Sequence, residues 1–324
     1  MTPEWLSLFM EQPDGFVSGQ RLAEAMNCSR TAVWKRIRKL TDEGYEFEAV
    51  PRKGYRLLHK PDPLDIERLQ AEMKSLRRSD GWGHTIHYEH TVSSTQDVAR
   101  QKIAEGARPG TLVIAEQQTK GRGRMGKSWH SPPGKGLWMS LILQPPIPLV
   151  QLPQLTLLAA VALCRSIRQH TGVKVDIKWP NDLLADGKKI CGILLESSAE
   201  NEQLRYVVAG IGISVNLRRE DFPPELRNIA TSIRCESGQW IDRTALAAAV
   251  LNEMQYWYEL YLEQGFAPIK LMWEALSVTL DRPVQIETPE GTIRGMATGL
   301  DEWGALIVEK EDGTRKHLFT GLLS

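Results

Sequence analysis

A glycine-rich basic stretch at residues 121–128, followed shortly by two prolines, most constrains how this chain can fold. The stretch formally satisfies the phosphate-loop pattern G-x-x-x-x-G-K-[ST], from Gly121 to Ser128. A phosphate loop must open directly into a helix whose N-terminus holds the phosphates. Here Pro132-Pro133-Gly134 follows, and a double proline with glycine cannot continue a helix. The sequence therefore disfavours a phosphate-loop fold. It predicts a mobile basic loop that orders around a small anion, or a plain surface loop.

From about Leu64 the pattern is that of a mixed region in which strands mostly follow strands. Apolar runs and helical periodicity predict its main elements: strands at Thr111–Glu116, Leu137–Leu143 and Leu204–Val215, and helices at Pro153–Thr171 and Arg243–Leu262. Val175–Trp179 and Lys189–Glu196 flank a turn at Asp186-Gly187 and predict two paired strands. This succession predicts an α+β domain with a mixed sheet.

Three shorter segments carry polar side chains at the ends of predicted elements. Lys178–Asp182 contains a turn at a strand end, where sites are usually mounted. Lys189 opens a very apolar strand, and a lysine beside apolar walls needs an anionic partner. Ser93–Gln96 supplies small polar groups at the start of a helix. Taken singly, each has a structural alternative: a plain turn, a lysine that points to solvent, and a helix N-cap.

The first sixty residues predict two short helices joined by a tight turn. Ser18 and Ser29 are the expected N-caps of these helices. The second helix is rich in basic residues and has no acid up to Leu40, and a hairpin with a basic tip follows it. This is the pattern of a winged helix-turn-helix, although a helical protein-interaction module is the alternative. Seven residues are candidates for DNA contact: Arg30, Thr31, Trp34, Lys35, Arg38, Arg52 and Lys53.

The remaining sequence sets the domain boundaries. Pro61-Asp62-Pro63 predicts a linker. The tail from Asp281 to Ser324 predicts short strands between regular turns, which is typical of a small SH3-like β-barrel. We therefore expect a winged helix-turn-helix at residues 1–62, a central α+β domain at 64–275 and a β domain at 276–324.

Charge and composition indicate which compartment and which kinds of partner to expect for this chain. The formal net charge is zero, so any DNA contact must come from a local basic face. The N-terminus lacks the pattern of a signal peptide, and the most apolar run, near Leu155–Ile167, is shorter than the roughly 20 residues that a bilayer needs. The four cysteines form no C-x-x-C pair, and no cage of metal ligands is predicted. We expect a cytoplasmic protein that does not contact a membrane.

Taken together, these segments resemble the bifunctional biotin–protein ligase and biotin operon repressor family of bacteria. The resemblance covers nearly the whole chain, and the G-R-G-R-x-G and K-W-P-N-D motifs are specific in this order and spacing. It is carried by five segments: Ser93–Gln96, Gly121–Gly126 with Trp129, Lys178–Asp182, Lys189–Gly192 and Gly210–Asn216. The N-terminal helix-turn-helix and the β-rich tail also match the bifunctional members.

The resemblance implies a role for each matching residue. The expected biotin pocket is formed by Ser94, Thr95, Gln96, Gln118, Arg122, Gly123, Arg124, Trp129 and Lys189. Among these, Lys189, Arg122 and Arg124 would be catalytic, with Lys189 at the biotin carboxylate. Lys178, Asn181 and Asp182 would lie near ATP and magnesium. Ser214 stands where family members often have asparagine, so we assign it no firm role.

The same resemblance implies a reaction and its partners. Biotin and ATP would form biotinyl-5′-AMP with release of pyrophosphate, and Lys189, the arginines and Mg²⁺ would offset the repulsion between two anions. Biotin would then pass to a lysine of the biotin carboxyl carrier protein of acetyl-CoA carboxylase. The adenylate would also act as corepressor by favouring a homodimer on palindromic operator DNA.

Three other functions remain open at this point. A ligand-sensing repressor without ligase activity would keep the winged helix and the pocket but would not need Lys189. A lipoate–protein ligase shares the broad fold, and competition between biotin and lipoate would separate the two. A phosphate-loop NTPase would hydrolyse ATP to ADP without biotin.

Overall fold

The computed structural model describes residues 4–10, 15–42, 44–60, 63–75, 82–200 and 203–323. The chain divides into two compact units, Met1–Pro63 and Leu64–Ser324, and each is described by itself. Pro61 and Asp62, which belong to the predicted linker, lie outside the described residues. The finer division at residues 275 and 276 stays a prediction.

The N-terminal unit consists of short helices followed by an antiparallel hairpin. Its elements are α1 (Ser7–Met10), α2 (Gly19–Ala25), α3 (Arg30–Asp42), β1 (Glu46–Val50) and β2 (Gly54–His59). Ser18 Oγ accepts a hydrogen bond from the Arg21 amide at 3.1 Å, and Ser29 Oγ accepts one from the Ala32 amide at 3.2 Å. Both predicted N-caps are therefore confirmed.

The second unit is built around one long sheet. Its strands are β3 (Ile86–Val92), β4 (Leu112–Gln118), β5 (Gly136–Leu143), β6 (Asp176–Lys178), β7 (Asp182–Ala185), β8 (Lys188–Glu200) and β9 (Gln203–Ser214). Within the described residues they form a seven-stranded sheet in the order β3-β4-β5-β9-β8-β7-β6. The β3–β4 pair is parallel and the other pairs are antiparallel. The predicted mixed sheet is thus confirmed.

Helices cover the two faces of this sheet. They are α4 (Ile66–Ser75), α5 (Thr95–Ala104), α6 (Leu152–Thr171), α7 (Ile233–Ser237), α8 (Arg243–Gln264) and α9 (Ala267–Leu276). On one face, alternate strand residues such as Leu112 and Met139 join the large core with α6 and α8. On the other face, Val113, Ile142 and Val208 pack against α5 through Ala99. The period of two along each strand therefore separates a core face from the face that carries α5.

The predicted pairing of Val175–Trp179 with Lys189–Glu196 is wrong. Strand β6 pairs with β7, and β7 pairs with β8. The chain reverses twice, first at Pro180-Asn181 and again at Asp186-Gly187, so the short strand β7 lies between the two predicted strands. A four-residue strand between two turns was too short to produce a periodic signal.

Helix α6 is long and largely buried. The segment Leu149–Thr171 is long and apolar enough to cross a membrane, but 67% of its most hydrophobic window is buried inside the protein. Gly172 ends the helix in a left-handed conformation with φ 71°, and the helix ends at Thr171, as the sequence predicts. The burial is that of a core helix that packs between the sheet and α8.

The tail forms a second sheet within the same unit. Its strands are β10 (Arg282–Thr288), β11 (Gly291–Leu300), β12 (Leu306–Glu309), β13 (Arg315–Leu318) and β14 (Leu322–Leu323). All pairs are antiparallel, and the order in the described chain is β13-β12-β11-β10-β14. The predicted β module is confirmed as a sheet, and its closure into an SH3-like barrel stays a prediction.

A buried ion pair connects the start of helix α8 to strand β4. Arg243 Nη1 lies 2.8 Å from Glu116 Oε2, and the side chains are only 1% and 4% exposed. The Leu64 amide and the Tyr88 hydroxyl both donate to Glu116 Oε1. Burial, together with the Glu116 charge, raises the pKa of Tyr88 to about 12.

We expect Arg243→Met to destabilise the protein by about 3–5 kcal/mol, because it leaves the Glu116 carboxylate buried without its cation. The measurement is the free energy of unfolding in urea. Arg68→Met is the control, since the Arg68–Asp242 pair is exposed and its loss should cost less than about 1 kcal/mol. Equal losses in the two variants would contradict this account.

Candidate active site and nucleic-acid interface

A cavity of about 520 Å³ opens on the face of the long sheet that carries α5. Its floor is made by three glycines on paired strands: Gly192 on β8 and Gly210 and Gly212 on β9. A Cβ at Gly210 would lie 2.7 Å from Gln96 Nε2, and one at Gly212 would lie 2.4 Å from Trp129 Nε1. Glycine at these positions therefore lets both side chains lie directly on the sheet.

All the residues that the sequence predicts for the central site line this one cavity. They are Ser94, Thr95, Gln96, Gln118, Arg122, Gly123, Arg124, Trp129, Lys178, Asn181, Asp182 and Lys189. Ser214 also lies in its wall and is nearly buried. The segments that carry them are far apart in sequence, and the strand order brings them together.

A chain of hydrogen bonds fixes one end of the cavity. Gln118 Oε1 accepts from the Thr95 amide at 2.9 Å and from the Thr95 hydroxyl at 3.1 Å. Ser140 donates to Thr95 Oγ1 at 2.8 Å, and Gln118 Nε2 donates to Ser131 at 2.9 Å. Ser94 is the N-cap of α5, so the structural alternative for this segment is also true. Sequence reasoning missed Ser131 and Ser140, since neither lies in a motif.

Four buried polar atoms on the cavity residues have no hydrogen-bond partner among the described residues: Gln96 Oε1, Trp129 Nε1, Arg122 Nη2 and Asp182 Oδ1. Of these, Asp182 Oδ1 forms an ion pair with Lys189. Gln96 is held by its other end, since its Nε2 donates to the Leu194 carbonyl at 2.9 Å. Buried polar groups are rarely left unpaired in folded proteins. The cavity therefore offers one acceptor and two donors to a polar ligand.

Lys189 is paired inside the cavity. Its Nζ lies 2.6 Å from Asp182 Oδ1 and 5.2 Å from the centre of the Trp129 ring. Its backbone is fixed as well, because Lys189 N donates to the Ile229 carbonyl and Thr231 N donates to the Lys189 carbonyl. The alternative of a lysine that points only to solvent is therefore wrong. A ligand carboxylate that approaches Lys189 would compete with Asp182.

The basic loop at residues 121–128 packs against three other parts of the chain. Arg122 Nη1 donates to Asp97 Oδ1 at 2.8 Å. Arg124 Nη1 donates to Asn181 Oδ1 at 3.0 Å, and its Nη2 donates to Thr320. Burial is the main cause that lowers the pKa of Arg124 from its ordinary value. The loop contains only a short 3₁₀ turn at Arg124–Gly126, so the α-helix that a phosphate loop requires is missing from this described segment.

Other walls of the cavity were not predicted. Gly321, Leu322 and Leu323 line it from the end of the tail, and Phe222, Leu226 and Ile229 line it from the segment after β9. These residues carry no spacing signal, because their position depends on how the two sheets meet. Within the described residues, no group of three His, Cys, Asp or Glu side chains could hold a metal ion.

The seven predicted DNA-contacting residues lie in the N-terminal unit. On α3 they are exposed, while Val33, Ile37 and Leu40 face the core. The Arg38 guanidinium lies 5.4 Å from the centre of the Trp34 ring. At the hairpin tip, Arg52 has φ 69° and Lys53 lies 5.9 Å from the Phe16 ring. This unit thus presents a basic helix face and a basic hairpin tip.

Comparison with known domain families gives three matches. Residues 5–56 match a helix-turn-helix domain, and residues 88–214 match the biotin/lipoate A/B protein ligase family. Residues 279–321 match the C-terminal domain of biotin protein ligases. The three matched segments follow the order of the N-terminal unit, the long sheet and the tail sheet.

Individual relatives match over nearly the full length. The chain is 46% identical to the bifunctional ligase/repressor BirA of Bacillus subtilis (strain 168), over 96% of this chain and 94% of the relative. It is 32% identical to BirA of Escherichia coli (strain K12), over 95% and 92%. A solved biotin protein ligase from Aquifex aeolicus, in complex with biotin and ATP, is similar with a TM-score of 0.65 and 30% identity, over 74% of this chain and 98% of that chain.

We expect Gly212→Ala to destabilise the protein by about 1–3 kcal/mol, because the new methyl group displaces the Trp129 ring. The measurement is the free energy of unfolding in a double-mutant cycle with Trp129→Leu, in which most of this cost should disappear. Gly123→Ala is the control, because its Cβ meets its nearest neighbour at an ordinary 3.5 Å. A cost that persists without the Trp129 ring would contradict the close packing.

Proposed function

Because the chain belongs to the bifunctional biotin ligase/repressor family, we propose that it attaches biotin to protein and represses transcription. It joins biotin and ATP to biotinyl-5′-AMP, releases pyrophosphate and passes biotin to an acceptor lysine. The observation that carries the proposal is one cavity that combines paired cations with buried donors and an acceptor that form no hydrogen bond within the described part of the chain. The chain covers almost the full length of its bifunctional relatives.

Each wall of the cavity has a proposed task. Ser94, Thr95, Gln96 and Gln118 recognise the polar ring end of biotin, and the hydrogen-bonded network described above holds Thr95 and Gln118 in place. Lys189 takes the biotin carboxylate, and this contact replaces its pair with Asp182. The Trp129 ring, which lies on the glycines of the cavity floor, covers the ligand. The rear of the pocket thus fixes the ring and presents the carboxylate to ATP.

The reaction brings a carboxylate and a triphosphate together, so positive charge is the main requirement. The carboxylate oxygen attacks the α-phosphorus of ATP, the bond to the β-phosphate oxygen breaks, and pyrophosphate leaves. Lys189, Arg122 and Arg124 stabilise the charge that develops on the α-phosphate. Gly123 lets the backbone of the basic loop approach the ligand closely. The loop then shields the resulting anhydride from water.

Magnesium accompanies ATP in this proposal. Asp182 and Asn181 carry the oxygen atoms that Mg²⁺ prefers, and Lys178 lies beside them in the cavity wall. The described residues hold no cluster that could bind a metal unaided. Asp182 and Asn181 would therefore hold the metal together with ATP, and Mg²⁺ would offset the charge of the phosphates.

The acceptor is a lysine of the biotin carboxyl carrier protein of acetyl-CoA carboxylase, and the reaction takes place in the cytoplasm. The tail, which we propose to be an SH3-like barrel, reaches the cavity through Gly321–Leu323. It is therefore placed to contact ATP or the arriving carrier.

Repression uses the N-terminal unit. The exposed basic face of α3 enters the major groove of operator DNA, and the hairpin tip with Arg52 and Lys53 contacts the adjacent backbone. Bound adenylate favours a homodimer, and two winged helices then match a palindromic site. Consumption of the adenylate by unmodified carrier relieves repression.

The central test is biotin-dependent exchange of labelled pyrophosphate into ATP. We expect exchange with biotin and none with lipoate, and a loss of at least about 100-fold in Lys189→Ala, in line with removal of one charge-stabilising donor. Exchange with lipoate would favour a lipoate ligase. No exchange with either acid, from folded protein, would leave a ligand-sensing repressor.

The DNA-binding prediction concerns Arg38. Arg38→Ala should weaken binding to promoter DNA of biotin-synthesis genes, and loss of one phosphate contact should reduce the salt slope by about one. The measurement is a titration followed by fluorescence anisotropy, with and without biotin and ATP. Arg68→Ala, in the other unit, is the control. Equal affinity with and without biotin and ATP would contradict the coupling between the two functions.

A further inference from the structure

Ser140 carries a buried hydroxyl that lies behind the polar end of the cavity. It is 0% exposed on β5, and it is not one of the residues that line the cavity. Its Oγ donates to Thr95 Oγ1 at 2.8 Å, and the register of the sheet pairs it with Gly210 of the cavity floor. Ser140 therefore acts on a ligand only through a neighbour, and that neighbour is Thr95.

The direction of each hydrogen bond in this chain follows from one backbone group. The Thr95 amide can only donate, so the oxygen of the Gln118 side chain faces it at 2.9 Å. This oxygen can only accept, so the Thr95 hydroxyl donates to it as well, at 3.1 Å. Thr95 Oγ1 has then used its single hydrogen. The bond with Ser140 must therefore run from Ser140 to Thr95.

The other end of the Gln118 side chain is fixed in the same way. Because Oε1 faces Thr95, the amide nitrogen Nε2 faces Ser131 and donates to its Oγ at 2.9 Å. Ser131, which is nearly buried, donates in turn to the Trp129 carbonyl at 3.2 Å. A flip of the Gln118 amide would place like groups against each other at both ends. The donor and acceptor ends of this side chain are therefore defined by the protein itself.

This arrangement leaves a defined pattern for a ligand. Thr95 Oγ1 keeps one lone pair after it accepts from Ser140, and Gln118 Nε2 keeps one hydrogen after it donates to Ser131. Both Thr95 and Gln118 line the cavity. One acceptor beside one donor matches the N–H and carbonyl groups of a cyclic urea, which is the polar ring of biotin. The dithiolane ring of lipoate has no N–H group to match.

We propose that Ser140 is a positioning residue that holds the Thr95 hydroxyl in the orientation that recognises the ring of the substrate. Its hydrogen bond occupies one lone pair of Thr95 Oγ1 and restricts rotation of that side chain, so the other lone pair keeps one direction. The inference rests on the proposed function for its kinetic consequences. Its structural consequence, a fixed Thr95–Gln118 pair, rests on the hydrogen-bond geometry alone.

The experiment compares Ser140→Ala with the matched control Ser166→Ala. Ser166 lies on α6, is 1% exposed and does not line the cavity, so each change removes one buried serine hydroxyl. In Ser140→Ala the KM for biotin should rise about three- to tenfold, in line with the loss of one neutral hydrogen bond. The KM for ATP should stay at the wild-type value, and kcat should change less than the KM for biotin. Ser166→Ala should keep the wild-type value of all three.

A double-mutant cycle separates positioning from a general structural defect. In the Thr95→Val background, Ser140→Ala should raise the KM for biotin by less than about twofold, because no hydroxyl is left for Ser140 to hold. Ser140→Cys has a similar size but a weaker donor, so its KM should fall between those of the wild type and Ser140→Ala. This variant keeps the test available if Ser140→Ala folds poorly.

Another readout does not require activity. Amide hydrogen exchange of Thr95, followed by NMR, reports on the bond between this amide and Gln118 Oε1. Exchange should be about three- to tenfold faster in Ser140→Ala, because the Thr95–Gln118 pair loses its support. It should be unchanged in Ser166→Ala.

Any of three results would overturn the proposal: a wild-type KM for biotin in Ser140→Ala, an equal defect in Ser166→Ala, or an undiminished effect of Ser140→Ala in the Thr95→Val background. If the wild-type protein makes no adenylate, the proposed function fails, but the exchange of the Thr95 amide still tests whether Ser140 holds the Thr95–Gln118 pair. The two failures are therefore distinguishable.

Discussion

The close approach of side chains to the sheet at Gly192, Gly210 and Gly212 underlies the rest of the site. A Cβ at Gly210 or Gly212 would collide with Gln96 or Trp129, and one at Gly192 would lie 2.9 Å from the Trp129 ring. Because the Trp129 ring packs on β8 and β9, the Lys189 ammonium lies over the face of that ring. The two strands pair Gly192 with Gly212 directly, so the floor is a property of their register. A slip of one residue would turn the glycines to the core face and close the cavity.

The second feature of the cavity is the pairing of its cations with carboxylates. Lys189 is paired with Asp182, and Arg122 is paired with Asp97, so a carboxylate holds each of the two cations. In the proposed mechanism, the biotin carboxylate replaces Asp182 as the anionic partner of Lys189. Preorganised charges of this kind need little rearrangement during the reaction, which is the usual source of electrostatic catalysis.

Much of this could be predicted from the sequence, and the rest could not for identifiable reasons. Caps such as Ser18 and Ser29 are local, so their signals lie within a few residues. The G-R-G-R-x-G and K-W-P-N-D segments are specific enough to indicate the cavity lining. Strand β7 was missed because its four residues lie between two turns.

The supports of the site were also missed, because they come from elements that are distant in sequence. Ser140 reaches Thr95 because helix α5 packs over strand β5. Asp97 and Glu196 likewise meet Arg122 from distant elements, and the tail residues Gly321–Leu323 reach the cavity from the second sheet. No pattern in a single sequence encodes such contacts, since they depend on strand order and on how two sheets pack.

The most direct test of the account follows one oxygen atom. Biotin with ¹⁸O in its carboxylate would be incubated with ATP, Mg²⁺ and carrier protein, and the AMP and pyrophosphate would be analysed by mass spectrometry. The account predicts one ¹⁸O in AMP and none in pyrophosphate, because the carboxylate oxygen attacks the α-phosphorus and stays on AMP when the acyl group moves to lysine. Unlabelled AMP, or ADP and phosphate as products, would contradict it.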